Sequence, residues 1–200
     1  MERSFFVTSA ITIATIASVA VFAWTLVHAI YIAPDTAPTV APKNAPIVVA
    51  TTSDPVRIII PTLHVNAKVQ YVGVTAKGAM GTPNNFTDVA WYKYGVVPGQ
   101  IGSAVIDGHV DNGLALDGVF KHLEDIKIGD DVYIGQKNGL QLHFVVVAVE
   151  SYPYNDVPTA LVFNAVDTAR LNLITCGGAW VGVRKTYDHR IVVFTKLAER

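Results

Sequence analysis

From Val56 to the C-terminal end, the hydrophobic positions fall in short runs rich in Val and Ile, separated by Gly, Pro, Asn or Asp. The runs are Val56–Pro61, Ala67–Val74, Ser103–Asp107, Asp131–Gly135, Leu140–Glu150, Ala169–Cys176 and Arg190–Leu197. Segments of this length and β-branched composition, bounded by turn formers, predict β-strands. Gln136-Lys137-Asn138-Gly139 lies between two of them, and its Asn-Gly step predicts a tight hairpin. A helical period shows mainly over Leu114–Ile126, where Leu116, Val119, Phe120 and Leu123 recur at spacings of three and four. The predicted class is therefore all-β with few, short helices. About seven or eight strands fit a small closed or nearly closed barrel, which removes exposed edges; the hydrophobic runs alone do not separate a barrel from a sandwich.

The first part of the chain follows another pattern. Phe5 to Ile32 contains no Asp, Glu, Lys or Arg, and its roughly 28 residues exceed the ~20 that an α-helix needs to cross a bilayer. A cleaved signal peptide has an apolar core of only about 7–15 residues and a small-residue cleavage site, for which Ala29-Ile30-Tyr31-Ile32-Ala33 is a poor match. Residues 5–32 are thus expected to be an uncleaved signal-anchor. The flank 1–4, with its single Arg3, is expected in the cytoplasm and the rest of the chain outside. Ala33–Asp54 has prolines at 34, 38, 42 and 46 and no aromatic residue. A Pro-rich spacer of this kind disfavours helix and rises ~3.1 Å per residue, enough to hold a domain up to about 60 Å from the lipid. Residues 55–200 have the usual size of one domain and show no internal repeat.

Composition sharpens this reading in two places. The chain is 51% hydrophobic and 16% charged, with mean hydropathy +0.38, but part of the apolar excess belongs to the anchor. Net charge is −1 and Lys and Arg form no stripe, so nucleic acid is excluded as a partner, because backbone binding needs concentrated positive charge. Cys176 is the single cysteine, so no internal disulfide is possible and the fold must rest on its core. A thiol kept in an oxidising compartment also calls for a reason.

Candidate chemistry gathers at three predicted strand ends. Leu173-Ile174-Thr175-Cys176-Gly177-Gly178 carries a thiol to the end of an apolar run, Val105-Ile106-Asp107-Gly108-His109 places an imidazole just past another, and Arg190 opens a third. Acyl transfer from an amide needs a nucleophile, an acid for the leaving nitrogen and a donor for the oxyanion. Cys176, His109 and Arg190 supply one of each. At reference pKa values about 3% of a thiol is thiolate at pH 7 and about 25% of an imidazole is protonated, so an independent pair is in the reactive state about 1% of the time. Each residue also has a plainer reading. A lone cysteine is often an inert small hydrophobe, and Arg190 could form a surface ion pair with Asp188. His189 adjoins Arg190, but successive strand residues face opposite ways, so only one of them can face Cys176; Arg190 is chosen. His28, His64, His122 and His143 show no partner. Asp107–Gly113 resembles a calcium loop in part, yet Asn112 stands where Gly is required and Gly118 where Glu is required, so no metal is expected.

With these residues in place, the chain resembles the sortases, membrane-anchored cysteine transpeptidases of bacterial surfaces, over essentially all of Val56–Leu197. The sortase signature Thr-Leu-x-Thr-Cys is matched at four of five slots by Asn172-Leu173-Ile174-Thr175-Cys176. Asn stands at the first slot, three residues before the Thr-Cys pair, where it need not touch the reacting atoms. Gly-His-Val-Asp at 108–111, Ile-Pro at 60–61, Pro-Gly at 98–99 and Thr-Cys-Gly-Gly at 175–178 look most like class F, with class E or D as neighbours.

The resemblance implies a closed sortase-type barrel, catalysis by His109, Cys176 and Arg190, and no cofactor. It also implies substrate contacts from Thr175 and from the connection after Glu150, where Val157, Ala160 and Leu161 could meet a Leu-Pro pair or simply seal the barrel. The implied donor is a secreted protein with a C-terminal Leu-Pro-x-Thr-Gly-like signal, and the implied acceptor an amine of the cell wall or a pilin. A papain-like hydrolase would need a helix-borne cysteine and an L,D-transpeptidase a Ser-x-Gly-Cys type sequence, neither of which is found. A tethered binding module with a degenerate site would lack one of the three groups, and all are present.

Overall fold

The computed structural model describes residues 52–114 and 116–199. The expected span Phe5–Ile32 and the Pro-rich stretch up to residue 51 lie outside the described residues. Within them, no helix is long and apolar enough to cross a membrane. Eight strands are formed: β1 Pro55–Ile60, β2 Val65–Val72, β3 Val89–Tyr92, β4 Gly102–Gly108, β5 Asp131–Gln136, β6 Gln141–Pro153, β7 Ala169–Val181 and β8 Thr186–Leu197. They close into a barrel in the order β1-β2-β3-β4-β7-β8-β6-β5, with β5 returning to β1. The barrel-or-sandwich alternative is settled in favour of the barrel. The pairs β2–β3 and β4–β7 are parallel and the others antiparallel.

Alternation along the strands builds two hydrophobic clusters. Ile58, Ile60, Ala67, Trp91, Ala104, Ile106, Ile134, Phe144, Leu171, Leu173 and Val193 come from all eight strands and fill the barrel interior. The opposite face of β4, β7 and β8 carries Val105, Ile174, Val192 and Phe194, covered by Met80 and by Val157, Val162 and Phe163 from the β6–β7 connection. That connection contains a short helix, α1 (Thr159–Phe163).

Several elements differ from expectation. The helix predicted over Leu114–Ile126 is only a 3₁₀ turn at Leu123–Asp125, because Phe120, Leu123 and Ile126 are buried every third residue while Leu114 and Leu116 are exposed. Gly118 lies against the backbone after β4: a side chain at that position would start 2.2 Å from the His109 carbonyl oxygen, so the chain crosses there as bare backbone. Strand β3 gave no alternating signal because all four of its residues are buried. Strands β7 and β8 run past the predicted ends, to Val181 and back to Thr186, with a shift in pairing between Gly177 and Trp180. The predicted hairpin forms, with Gly139 at φ +83 and its N–H on the Gln136 carbonyl at 3.0 Å.

Candidate active site

Cys176 and Arg190 are directly opposed across the antiparallel β7–β8 pair. Opposed residues project from the same face of a sheet. The sequence Asn172, Ile174, Cys176 on β7 therefore faces with Phe194, Val192, Arg190 on β8, outside the barrel interior. His189 is paired with Gly177 and faces the other way. On the far side of β7, the parallel β4 aligns Asp107 with Ile174, and continuing that register two residues sets His109 level with Cys176. Three adjacent strands thus bring the thiol, the imidazole and the guanidinium together. All three residues are buried, at 4%, 3% and 2% exposure. Cys176 does not end its strand, as its sequence suggests; it sits one residue before the irregular stretch of β7. Gly178 permits that stretch at φ +76, with Asp188 Oδ1 where a side chain would stand.

Arg190 is not the surface partner of Asp188. Its Nη1 donates to the carbonyls of His189 (2.8 Å) and Tyr187 (3.2 Å), and its Nη2 to the Thr186 hydroxyl (3.0 Å). Asp188 instead accepts from the Ala179 N–H and pairs with His189 Nδ1, each at 2.8 Å, and these contacts hold its carboxyl below the usual range, the His189 hydrogen bond first. Among the described residues no carboxylate pairs with the Arg190 guanidinium. A buried cation without a counter-ion is destabilising, and an anion in front of it relieves that.

His109 is oriented by backbone. Its Nε2 lies 2.9 Å from the Pro83 carbonyl oxygen. A carbonyl only accepts, so Nε2 carries the proton, and the lone pair of the neutral ring is at Nδ1. The segment that presents Pro83 is fixed by a polar knot: Gln70 Nε2 (3.0 Å) and Asn85 Nδ2 (2.9 Å) donate to Asp88 Oδ2, and Asn85 Oδ1 accepts the Asp88 N–H at 2.8 Å. These donors, Asn85 foremost, hold the Asp88 carboxyl below its ordinary value. Tyr187 donates its hydroxyl to Asp111, tying the loop after His109 to β8. None of these supports was legible in sequence: a carbonyl has no residue signature, and Tyr187 and Asp111 are 76 residues apart.

The expected substrate residues are placed in three ways. Thr175 is buried, and its hydroxyl donates to the Gly108 carbonyl at 2.7 Å, clamping β7 to β4 just before His109, while the residue also lines the cleft at Cys176. Val157 is buried in the outer cluster, against the face of the sheet opposite the barrel interior. Ala160 and Leu161 are exposed on α1. A cleft of about 100 Å³ reaches Cys176 between Phe120, Lys121, Glu124, Gly178 and Tyr187. A second of about 350 Å³ shares Glu124, Gly178 and Ile191 with it and continues past His189 and Glu150. Of the other histidines, His122 contacts Asp125 at 3.1 Å, while His143 meets Asp131 at 2.6 Å and stacks on Tyr133. Among the described residues no group of three or more His, Cys, Asp or Glu could hold a metal ion.

Comparison with known proteins adds the following. The sortase domain profile matches residues 58–198. Sortase A from Corynebacterium diphtheriae aligns with 25% identity and a TM-score of 0.57, over 76% of this chain and 63% of that one. The chain thus spans less than two thirds of that protein. Sortase C-1 from Actinomyces oris aligns at 24% identity and TM-score 0.57 over 74% and 76% of the two chains. A sortase D5 transpeptidase from Clostridium perfringens aligns at 18% and 0.54 over 74% and 82%. The last two likenesses carry the fold alone. No curated protein matches.

Proposed function

The chain belongs to the sortase family, and from that premise we propose that it is a cysteine transpeptidase working through Cys176, His109 and Arg190. The observation that carries this reading is a buried guanidinium, paired with no carboxylate among the described residues, directly across the strand pair from the only thiol in the chain. In the proposed reaction the Cys176 thiolate attacks the carbonyl carbon of the scissile amide, and the carbonyl oxygen takes the negative charge. Three of the five Arg190 N–H groups are engaged by Tyr187, His189 and Thr186, leaving Nε–H and one Nη2 hydrogen for that oxygen. The His109 imidazolium gives its Nδ1 proton to the leaving nitrogen, the C–N bond breaks, and the acyl group remains on Sγ as a thioester. A primary amine then attacks the thioester, neutral His109 takes the amine's proton at Nδ1, and the thiolate departs.

The substrate class follows from the resemblance: a secreted protein ending in a Leu-Pro-x-Thr-Gly-like signal, cut after Thr and passed to an amine of the cell wall or a pilin. The signatures at 60–61, 98–99, 108–111 and 175–178 favour class F, with E or D as neighbours. Residues 5–32 would anchor the enzyme in the cell membrane and 33–54 would hold its catalytic domain outside. The test is incubation with a Leu-Pro-x-Thr-Gly peptide library and mixed amines, followed by mass spectrometry. The expected products are the cleaved acid and the amine adduct, neither formed by Cys176→Ala. Absence of both from the wild-type reaction would overturn the proposal.

A further inference from the structure

Strands β7 and β8 run on together past both of their neighbours. The last residue of β6, Pro153, pairs with His189, and β4 ends one residue past the Asp107–Ile174 pair, yet Trp180 still pairs with Tyr187 and Val181 with Thr186. The hairpin therefore stands clear of the sheet at the end of the barrel that holds Cys176. Its turn closes with the Arg184 N–H on the Val181 carbonyl at 3.0 Å, and Lys185 takes φ +53. Trp180 packs edge-on against Tyr187, with ring centroids 5.4 Å apart, but stays 48% exposed; Val183 at the tip is 99% exposed. Arg184 and Lys185 follow, both exposed. The Arg184 guanidinium lies 5.2 Å from the centre of the Tyr154 ring, which steadies the tip. No carboxylate occurs from Ala179 to Tyr187. Those at the base are engaged, Asp188 by the Ala179 N–H and His189 and Asp111 by the Tyr187 hydroxyl.

An indole at the edge, a bare valine at the tip and two cations beside them match the layered chemistry of a bilayer surface, where aromatic rings sit at headgroup depth and Lys and Arg meet anionic lipid. A protein partner fits less well, because protein interfaces take about 20–30 residues a side and the tip, residues 179–185, has seven. The chain outside the barrel is also long enough. Ser53 and Asp54 are held by Gln136 and Lys137 at the β5–β6 turn, the opposite end of the barrel from the β7–β8 turn. Three strand steps from Gln141 to Phe144 and eleven from Leu197 to Thr186, at ~3.3 Å each, put the two turns at most about 46 Å apart. The Pro-rich spacer 33–54 would reach about 60 Å, so a domain tethered through residues 5–32 can turn its far end back onto the lipid. We propose that the tip of the β7–β8 hairpin is a docking surface for an anionic bilayer, on which it holds Cys176, five strand steps from Val181, about 17 Å from the headgroups. This rests on the membrane-anchor reading above.

The test places the full chain in vesicles of phosphatidylcholine brominated near the top of its acyl chains, with or without phosphatidylglycerol. The signal is the tryptophan emission of the wild type minus that of Trp180→Phe, which cancels Trp24 and Trp91. With phosphatidylglycerol present, the Trp180 emission should be quenched and shifted to shorter wavelength. Molar salt should release it, and so should Arg184→Gln combined with Lys185→Gln, since two cations strengthen attachment to an anionic surface about thirtyfold. Deleting residues 37–48 should release it too, because ten of the 22 spacer residues remain and reach only about 30 Å. Both variants should keep the cooperative unfolding of the wild type, showing that the barrel is intact. Absence of quenching in anionic vesicles overturns the proposal, as would follow if a second copy or another protein covered Trp180. Quenching that survives the charge variant or the deletion overturns it as well. A full chain that floats with neither kind of vesicle overturns the membrane-anchor reading instead.

Discussion

Arg190 is held inside the protein by two carbonyls and a hydroxyl, so its replacement is felt twice. Arg190→Lys keeps the charge but loses the planar fork of donors. We expect kcat/KM to fall by about 10²–10³, the scale of losing one oxyanion donor. Unfolding stability should also fall by about 1–3 kcal/mol, because Tyr187, His189 and Thr186 lose their buried donor. A surface ion pair would have predicted about 0–1 kcal/mol and no kinetic change. For His109, nitrogen NMR of the neutral enzyme should show a protonated Nε2 and an unprotonated Nδ1; the reverse tautomer contradicts the proton route through Nδ1. Residue type and local string were enough to nominate Cys176, His109 and Arg190. They could not show the Pro83 carbonyl, nor that the Thr175 hydroxyl reaches the Gly108 carbonyl, since both depend on which strands become neighbours.

Elements succeed or fail in sequence according to how much pattern they carry. Strands with one buried face, such as β5 with its strict alternation, were legible. Strand β3, buried on both faces, and α1, too short for a period, were not. Leu114–Ile126 misled because a spacing of three also fits a loop that plugs a barrel end. The segment before β3 supports His109 through Asp88, whose carboxyl is depressed by its donors Asn85 and Gln70. A depressed carboxyl contributes stability above its unfolded pKa and loses it as pH falls through the folded value. Asp88→Asn should therefore lower stability by about 1 kcal/mol at neutral pH. The difference from wild type should close as pH falls below about 4. A gap that persists in acid would show that the charge of Asp88 is not what its donors stabilise.

At the scale of the whole molecule, closure of the sheet is what makes the site, since β4, β7 and β8 become neighbours only through the barrel order. That order is not written in any single run, and the sequence reading gave a closed barrel without it. Closure is complete within residues 55–197, and Gln136 and Lys137 further tie Ser53 and Asp54 to the β5–β6 hairpin. Removal of residues 1–50 should thus leave a soluble domain with one cooperative unfolding transition and undiminished peptide cleavage; aggregation or lost cleavage would assign the first 50 residues a part in the fold. The most direct test of the central claim is the intact mass of the protein after mixing with a Leu-Pro-x-Thr-Gly peptide and no amine. The account predicts an acyl adduct on Cys176, discharged by added amine, with neither adduct nor cleavage in Cys176→Ala. Peptide cleavage that persists in Cys176→Ala would contradict it.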